Sequence, residues 1–208
     1  MKNQETIKYQ AWYALHGDKP ESLGYGSEKS QSTRFKQLKR FIDCTDTTIY
    51  DVGGGKGDFF FWLTNQKISL AKYRLIEPVE EFCDLFAKNS VNCKNVLPTI
   101  NETGQEYIKR LPNDQVVDYY ICCGIFNSQL PWDNRDFEIG EIISKLFHHC
   151  KKGLIFNMES FLENLGKKSI NDPVYWINFV LKNLTKRVIY NSDYHNFDFQ
   201  ITCLKDED

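Results

Sequence analysis

Residues 48–63, TIYDVGGGKGDFFFWL, hold an acid and three spaced glycines: Asp51, Gly53, Gly55 and Gly57 in a D-x-G-x-G-x-G pattern. A strand-like run leads into them and a helical pattern follows. Glycine permits positive φ and lets backbone N–H groups approach a ligand that a Cβ would hold off. A second acid, Glu77, ends the next strand-like run (YRLIE), 20 residues past Gly57. A dinucleotide-type site places there the carboxylate that accepts from ribose hydroxyls. The ordered set predicts a nucleoside site rather than a plain tight turn. No Gly-Lys-Ser/Thr closes the loop, which excludes a Walker phosphate loop. NAD stays formally open. However, a pyrophosphate binder usually starts G-x-G-x-x-G, and an acid two residues before the first glycine would repel a pyrophosphate and attract an ammonium. Asp51 therefore points to a ligand with a cationic end.

The amino-acid part of S-adenosylmethionine (SAM) is such an end. The stretch DVGGGKG together with Glu77 resembles the first two motifs of the class I SAM-dependent methyltransferases. The resemblance spans about residues 30–205. It implies that Asp51, Gly53, Gly55 and Gly57 form the first motif, that Glu77 is the ribose-binding acid, and that the cofactor is SAM, with S-adenosylhomocysteine as product and no metal. YGSEKSQSTRFKQL, DYYICCGIFN, KKGLIFNMES and DYHNFDFQIT are similar to a bacterial subgroup whose acceptor is generally unassigned. Gly54 stands where that family often has cysteine or serine, and Cys122–Cys123 replace small residues. In the family the turn after the third strand contacts adenine, which implicates Asn101. The segment after the fourth strand contacts the acceptor, which implicates Asn127. No Asn/Asp-Pro-Pro-Tyr motif for adenine or glutamine amino groups is present there.

Other residues are weighed by geometry. At about 100° per residue, Arg34 falls inside the apolar stripe of Phe35, Leu38, Phe41 and Ile42, whereas Lys36, Lys39 and Arg40 lie opposite. An inward Arg needs a carboxylate. Asp51, Asp58 and the carboxylate of SAM are the candidates, so Arg34 joins the cofactor residues. Cys122 and Cys123 alternate across a strand, one packing in the core and the other, Cys123, facing the cofactor. His148, His149 and Cys150 point about 100° apart along a helix and cannot close on one ion. The loop Asn191–Asn196 carries Tyr194 and His195. Methyl transfer to a hydroxyl usually needs a base, and histidine has a suitable intrinsic pKa. Asn127, Tyr194 and His195 are thus the catalytic candidates.

These residues need a scaffold to bring them together. Strand candidates are Thr48–Val52, Tyr73–Glu77, Asn95–Leu97, Val116–Cys122, Leu154–Met158, Lys186–Tyr190 and Phe197–Leu204. Helix candidates fall at about 4–15, 31–42, 57–66, 79–88, 103–110, 136–150 and 172–184, with 16–30 as a loop. Alternation at this spacing means βαβ units and a parallel sheet. The last two strands are joined too tightly for a crossover and must be antiparallel. The expected fold is α/β: a doubly wound, mostly parallel seven-stranded sheet with an antiparallel C-terminal strand. Residues 1–42 form an N-terminal helical lid and 43–208 the SAM-binding domain of one compact unit. Tyr9, Trp12, Tyr13 and Tyr25 supply the lid with aromatics. Tyr175 and Phe179 on helix 172–184 are expected to seat the N-terminal helix.

Composition narrows the class. The chain has 208 residues with 26 basic and 28 acidic side chains, a formal net charge of −2. That gives no global basic field for nucleic acid. Seven cysteines without CxxC spacing fit reduced thiols rather than disulfides or a zinc ribbon. The polar start and the lack of a long apolar run predict a cytoplasmic protein without a membrane span. The reading is a SAM-dependent methyltransferase with a small-molecule acceptor, methylated at O or N. The rivals are an enzyme acting on RNA or protein and a non-catalytic SAM-binding regulator or scaffold. Oligomeric state, monomer or homodimer, is left open.

Overall fold

β-Branched and aromatic runs bounded by turn residues give six strands: β1 (Thr48–Val52), β2 (Lys72–Ile76), β3 (Val117–Cys122), β4 (Cys150–Glu159), β5 (Val188–Asn191) and β6 (Asp198–Leu204). The computed structural model describes residues 4–112, 114–127, 134–160 and 171–206. Its helices are α1 (Gln4–His16), α2 (Glu28–Arg40), α3 (Asp58–Asn65), α4 (Glu80–Asn89), α5 (Gly104–Arg110), α6 (Arg135–His148) and α7 (Pro173–Asn183). A 3₁₀ turn, Pro20–Leu23, links α1 to α2. Helix α2 begins three residues earlier than expected, because the Ser27 hydroxyl accepts from the Ser30 N–H and caps it.

The sheet order is β2-β1-β3-β4-β6-β5. The first four strands are parallel, and β6 runs antiparallel to both β4 and β5. The count is six, not the expected seven. The candidate Asn95–Leu97 makes only one isolated bridge to β2, Tyr73↔Val96, and a second, Ile76↔Ile100, follows beyond it. Four residues of β2 (73–76) thus oppose five on the edge (96–100), so an extra residue is accommodated near Pro98, which has no N–H to give to a ladder.

Alternate residues of each strand serve opposite layers. Tyr50, Val52, Tyr120 and Cys122 pack with α5, α6 and α7 through Tyr107, Ile139, Ile143 and Trp176. Ile49, Tyr119 and Ile121 pack with α2, α3 and α4 through Phe35, Leu38, Phe60 and Phe86. Phe35 and Leu38 make α2 part of the sheet's own core. Tyr175 and Val174 on α7 are exposed and Phe179 packs against Gly140. The N-terminal helix does not sit on them. It lies instead over α4, where Gln10 donates to Glu81 at 2.5 Å and Tyr13 meets Phe82 edge-on.

Gly57, at φ +75°, starts α3, and a Cβ there would lie 2.1 Å from the Phe86 ring. Gly57→Ala therefore suffers both left-handed strain and a clash with a buried ring, and should lose about 2–4 kcal/mol of stability. Gly26→Ala, at a site open within 4 Å, should cost nothing. Denaturant midpoints check both; equal effects would contradict the packing described.

Candidate active site

Parallel strands bring their carboxyl ends to one edge, and turns that leave that edge toward both layers open a crevice. Here the ends of β1, β2, β3 and β4 border one cavity of about 540 Å³. Asp51 is the penultimate residue of β1 and shares the side of Ile49, facing α2 and α3. It is almost fully buried. Its Oδ2 accepts from the Tyr73 hydroxyl at 2.5 Å, whereas Oδ1 is buried without a hydrogen-bond partner. Burial pushes its carboxyl up to about 7, against the opposing effect of Tyr73.

The glycine loop wraps over this carboxylate. Gly53 and Gly55 have φ +68° and +59°. A Cβ on Gly54 would stand 2.6 Å from the Asp51 carboxyl and from Leu75, so the cysteine or serine often found at that position would not fit beside this acid. Glu77, just past β2, ties the loop down: Oε2 accepts from Gly55 N–H at 2.9 Å and Oε1 from Val79 N–H at 3.0 Å. Burial raises it to about 7 against both bonds. Asp51, Gly53, Gly55 and Glu77 all line the cavity, whereas Gly57 does not and serves packing instead.

The cover comes from the N-terminal segment. Tyr9, Trp12, Leu23 and Tyr25 line the cavity. Tyr13 does not; its hydroxyl donates to Asp18 at 3.1 Å. Lys56, buried inside the glycine loop, donates to the carbonyl of Asp18 at 2.6 Å and fixes the turn that carries Leu23. Cys123 lines the cavity, its Sγ 3.4 Å from the Tyr25 hydroxyl, while Cys122 is in the core. Burial pushes the Cys123 thiol up to about 12.

Arg34 is inward and borders the cavity, but its carboxylate partner is none of those expected. Its Nε donates to Asp198 of β6 at 2.5 Å. Asp198 also accepts from Asn157 Nδ2 at 3.1 Å, and Asn157 Oδ1 accepts from Gly124 N–H at 2.7 Å. A continuous polar chain thus runs from α2 to the loop after β3. Leaving one member of such a buried pair uncompensated costs about 3–5 kcal/mol.

The remaining candidates separate. Asn127 lines the cavity, but its Oδ1 accepts from Glu159 N–H at 2.7 Å. Asn101 is not at the cavity; its Nδ2 donates to the Glu77 carbonyl at 3.0 Å, and Thr103, Gly104 and Gln105 line the wall beyond it. Tyr194 and His195 follow β5, at the same edge of the sheet, yet they border a separate polar depression with Ser160 and Asp193. Neither is among the residues that line the cavity, although His195 is within electrostatic reach of Glu159 and Tyr194 of Cys123. Burial and Arg34 lower His195. Sequence reasoning missed Tyr73, Asp198 and Glu159. Tyr73 was legible as the strand neighbour of the Asp51 strand; nothing local marked the other two. Among the described residues no group of three potential metal ligands occurs, and no helix is long and apolar enough to cross a membrane.

Three buried acids hold protons in the fold that the unfolded chain releases near pH 4: Asp51 and Glu77 up to about 7, and Asp198, raised mainly by burial, up to about 6. The folded chain binds more protons between about pH 4 and 7, so unfolding free energy falls as pH rises through that window. His195 works the other way but is a single, partly exposed group. The denaturation midpoint should be lower at about pH 7.5 than at about pH 5.5, and Asp51→Asn should flatten the dependence. A midpoint rising across the window would contradict these assignments.

No family model matches the chain, and no curated protein matches it. Solved structures do. A SAM-dependent methyltransferase of Leishmania major superposes with a TM-score of 0.71 at 12% identity, covering 96% of this chain and 82% of that one. The magnesium protoporphyrin IX methyltransferase of Synechocystis with bound S-adenosylhomocysteine gives 0.65 at 11% identity over 99% and 95% of the two chains. A SAM-dependent methyltransferase of Aquifex aeolicus gives 0.59 at 18% identity over 94% and 97%. At these identities the likeness is one of fold: this chain has the fold of the SAM-dependent methyltransferases.

Proposed function

We propose that the protein binds SAM and transfers its methyl group to a small-molecule acceptor. The observation that carries this reading is the buried Asp51, a residue of the cavity lining whose Oδ1 has no partner. An unsatisfied buried carboxylate oxygen is costly, and the amino group of SAM is a donor of the right charge. The rest of the site suits the same ligand. Gly53 to Gly55 offer backbone without a Cβ. Glu77 has lone pairs left for ribose hydroxyls, since each oxygen accepts only one backbone N–H. Thr103 to Gln105 would border the base, and Cys123 lines the same cavity. Bound SAM supplies an activated methyl group on a sulfonium.

The chain's own contribution is to orient and to exclude water. Tyr9, Trp12 and Tyr25 line the cavity from the N-terminal side, with Lys56 holding the turn between them; this supports reading the N-terminal segment as a lid, although α2 is packed into the core. Water exclusion strengthens the interactions of charged groups inside. A small acceptor is favoured over RNA by the charged groups of the wall, where Glu5, Asp58 and Glu159 join Asp51 and Glu77 against Lys8 and Arg34. Asn127 is proposed to position the end of β4 rather than to take a proton. Tyr194 and His195 have no place in this cavity, and a base role for them would require their loop to reach it.

Calorimetry with SAM, S-adenosylhomocysteine and NAD tests the reading. The first two should bind and NAD should not. Asp51→Asn and Glu77→Ala should each weaken SAM binding by about 1.5–3 kcal/mol, the range for hydrogen bonds to charged groups. Binding of NAD alone, or an unchanged SAM affinity in Asp51→Asn, would refute it. A regulator without turnover would bind SAM and methylate nothing across an acceptor panel.

A further inference from the structure

Adjacent strands lie about 4.8 Å apart. In the order β2-β1-β3-β4, the end of β4 is about 10 Å from that of β1 and about 14 Å from that of β2. Glu77 follows β2, Asp51 lies near the end of β1, and Glu159 ends β4; all three line the same cavity. A ligand held between Glu77 and Asp51 occupies one half of it. The half that ends at Glu159 is left for a second molecule.

That second half is acidic. Glu159 is fixed through its backbone: its N–H donates to Asn127 and its carbonyl accepts from Asn171 Nδ2 at 3.0 Å. Among the described residues its carboxylate makes no hydrogen bond and no ion pair. Of the two cations on the cavity wall, Arg34 is bound to Asp198, and the Lys8 ammonium sits 4.3 Å from the centre of the Trp12 ring. Neither serves Glu159. Tyr9 lines the cavity within electrostatic reach of Glu5, Glu77 and Glu159. An aromatic ring with carboxylates around it attracts a cation twice, by its quadrupole and by their charge. An anionic acceptor would meet the Glu159 carboxylate and be repelled.

Resting on the reading of this cavity as a methyl-transfer site, we propose that the acceptor carries a cationic amine, bound by the Glu159 carboxylate beside the Tyr9 ring. This narrows the substrate class to amines and sets aside acceptors recognised by a carboxylate or a phosphate.

The test uses the full chain loaded with S-adenosylhomocysteine and three probes of equal skeleton: 2-phenylethylamine, 2-phenylethanol and phenylacetate. Calorimetry should show the amine binding best and phenylacetate at least about tenfold more weakly, the lower range for losing a charge-assisted bond. Glu159→Gln keeps the shape and the backbone bonds. It should cost the amine about tenfold, leave the alcohol unchanged and bind S-adenosylhomocysteine as the parent does. An amine that binds no better than phenylacetate, or whose affinity Glu159→Gln does not alter, overturns the proposal. Failure of S-adenosylhomocysteine to bind the parent protein would instead remove the cofactor reading.

Discussion

A carboxylate buried near the end of β1, with only one of its oxygens satisfied, is the constraint around which this structure is arranged. Asp51 receives the Tyr73 hydroxyl on Oδ2 and nothing on Oδ1. Keeping it there requires Gly54, whose Cβ would strike the carboxyl, and a loop that passes over the acid in left-handed turns at Gly53 and Gly55. The loop is held down from the neighbouring strand by Glu77 through the Gly55 N–H. Two acids that burial keeps reluctant to ionise thus share one wall; backbone N–H groups offset part of the cost at Glu77 and the Tyr73 hydroxyl part of it at Asp51, whereas Asp51 Oδ1 has no donor.

The rest of the fold extends this arrangement outward. Lys56 projects from the glycine loop and anchors the carbonyl of Asp18, so the covering turn is attached to the loop it covers. On the other side, Arg34 of α2 reaches Asp198, Asn157 and finally Gly124, linking that helix to the loop after β3. Both links join segments far apart in sequence. The antiparallel β6 contributes here, because it inserts beside β4 and brings Asp198 under Arg34. Several of the elements that border the cavity are therefore tied together by the same few polar groups.

Much of this was legible in the chain. The D-x-G-x-G-x-G spacing and Glu77 identify the strand, turn and acid because those requirements are local. The angle of Arg34 on its helix correctly predicted burial. Its partner was not predictable, because Asp198 lies 164 residues away and only the insertion of β6 brings them together. The seventh strand failed on Pro98, whose missing N–H reduces the edge segment to two bridges. Asn101 was assigned by position after a strand, yet its amide is used to brace the Glu77 carbonyl. Tyr194 and His195 were placed at the right edge of the sheet but two strands too far along it, since β6 separates β5 from β4. Strand alternation and turn chemistry are written locally; which loop shares a cavity with which is decided by the order of strands.

The most direct test of the central claim is a crystal structure of the protein with S-adenosylhomocysteine. The account predicts the ligand's amino group within hydrogen-bond distance of Asp51 Oδ1 and its ribose hydroxyls on Glu77. A ligand bound elsewhere, or bound here with its amino group turned away from Asp51, would contradict it.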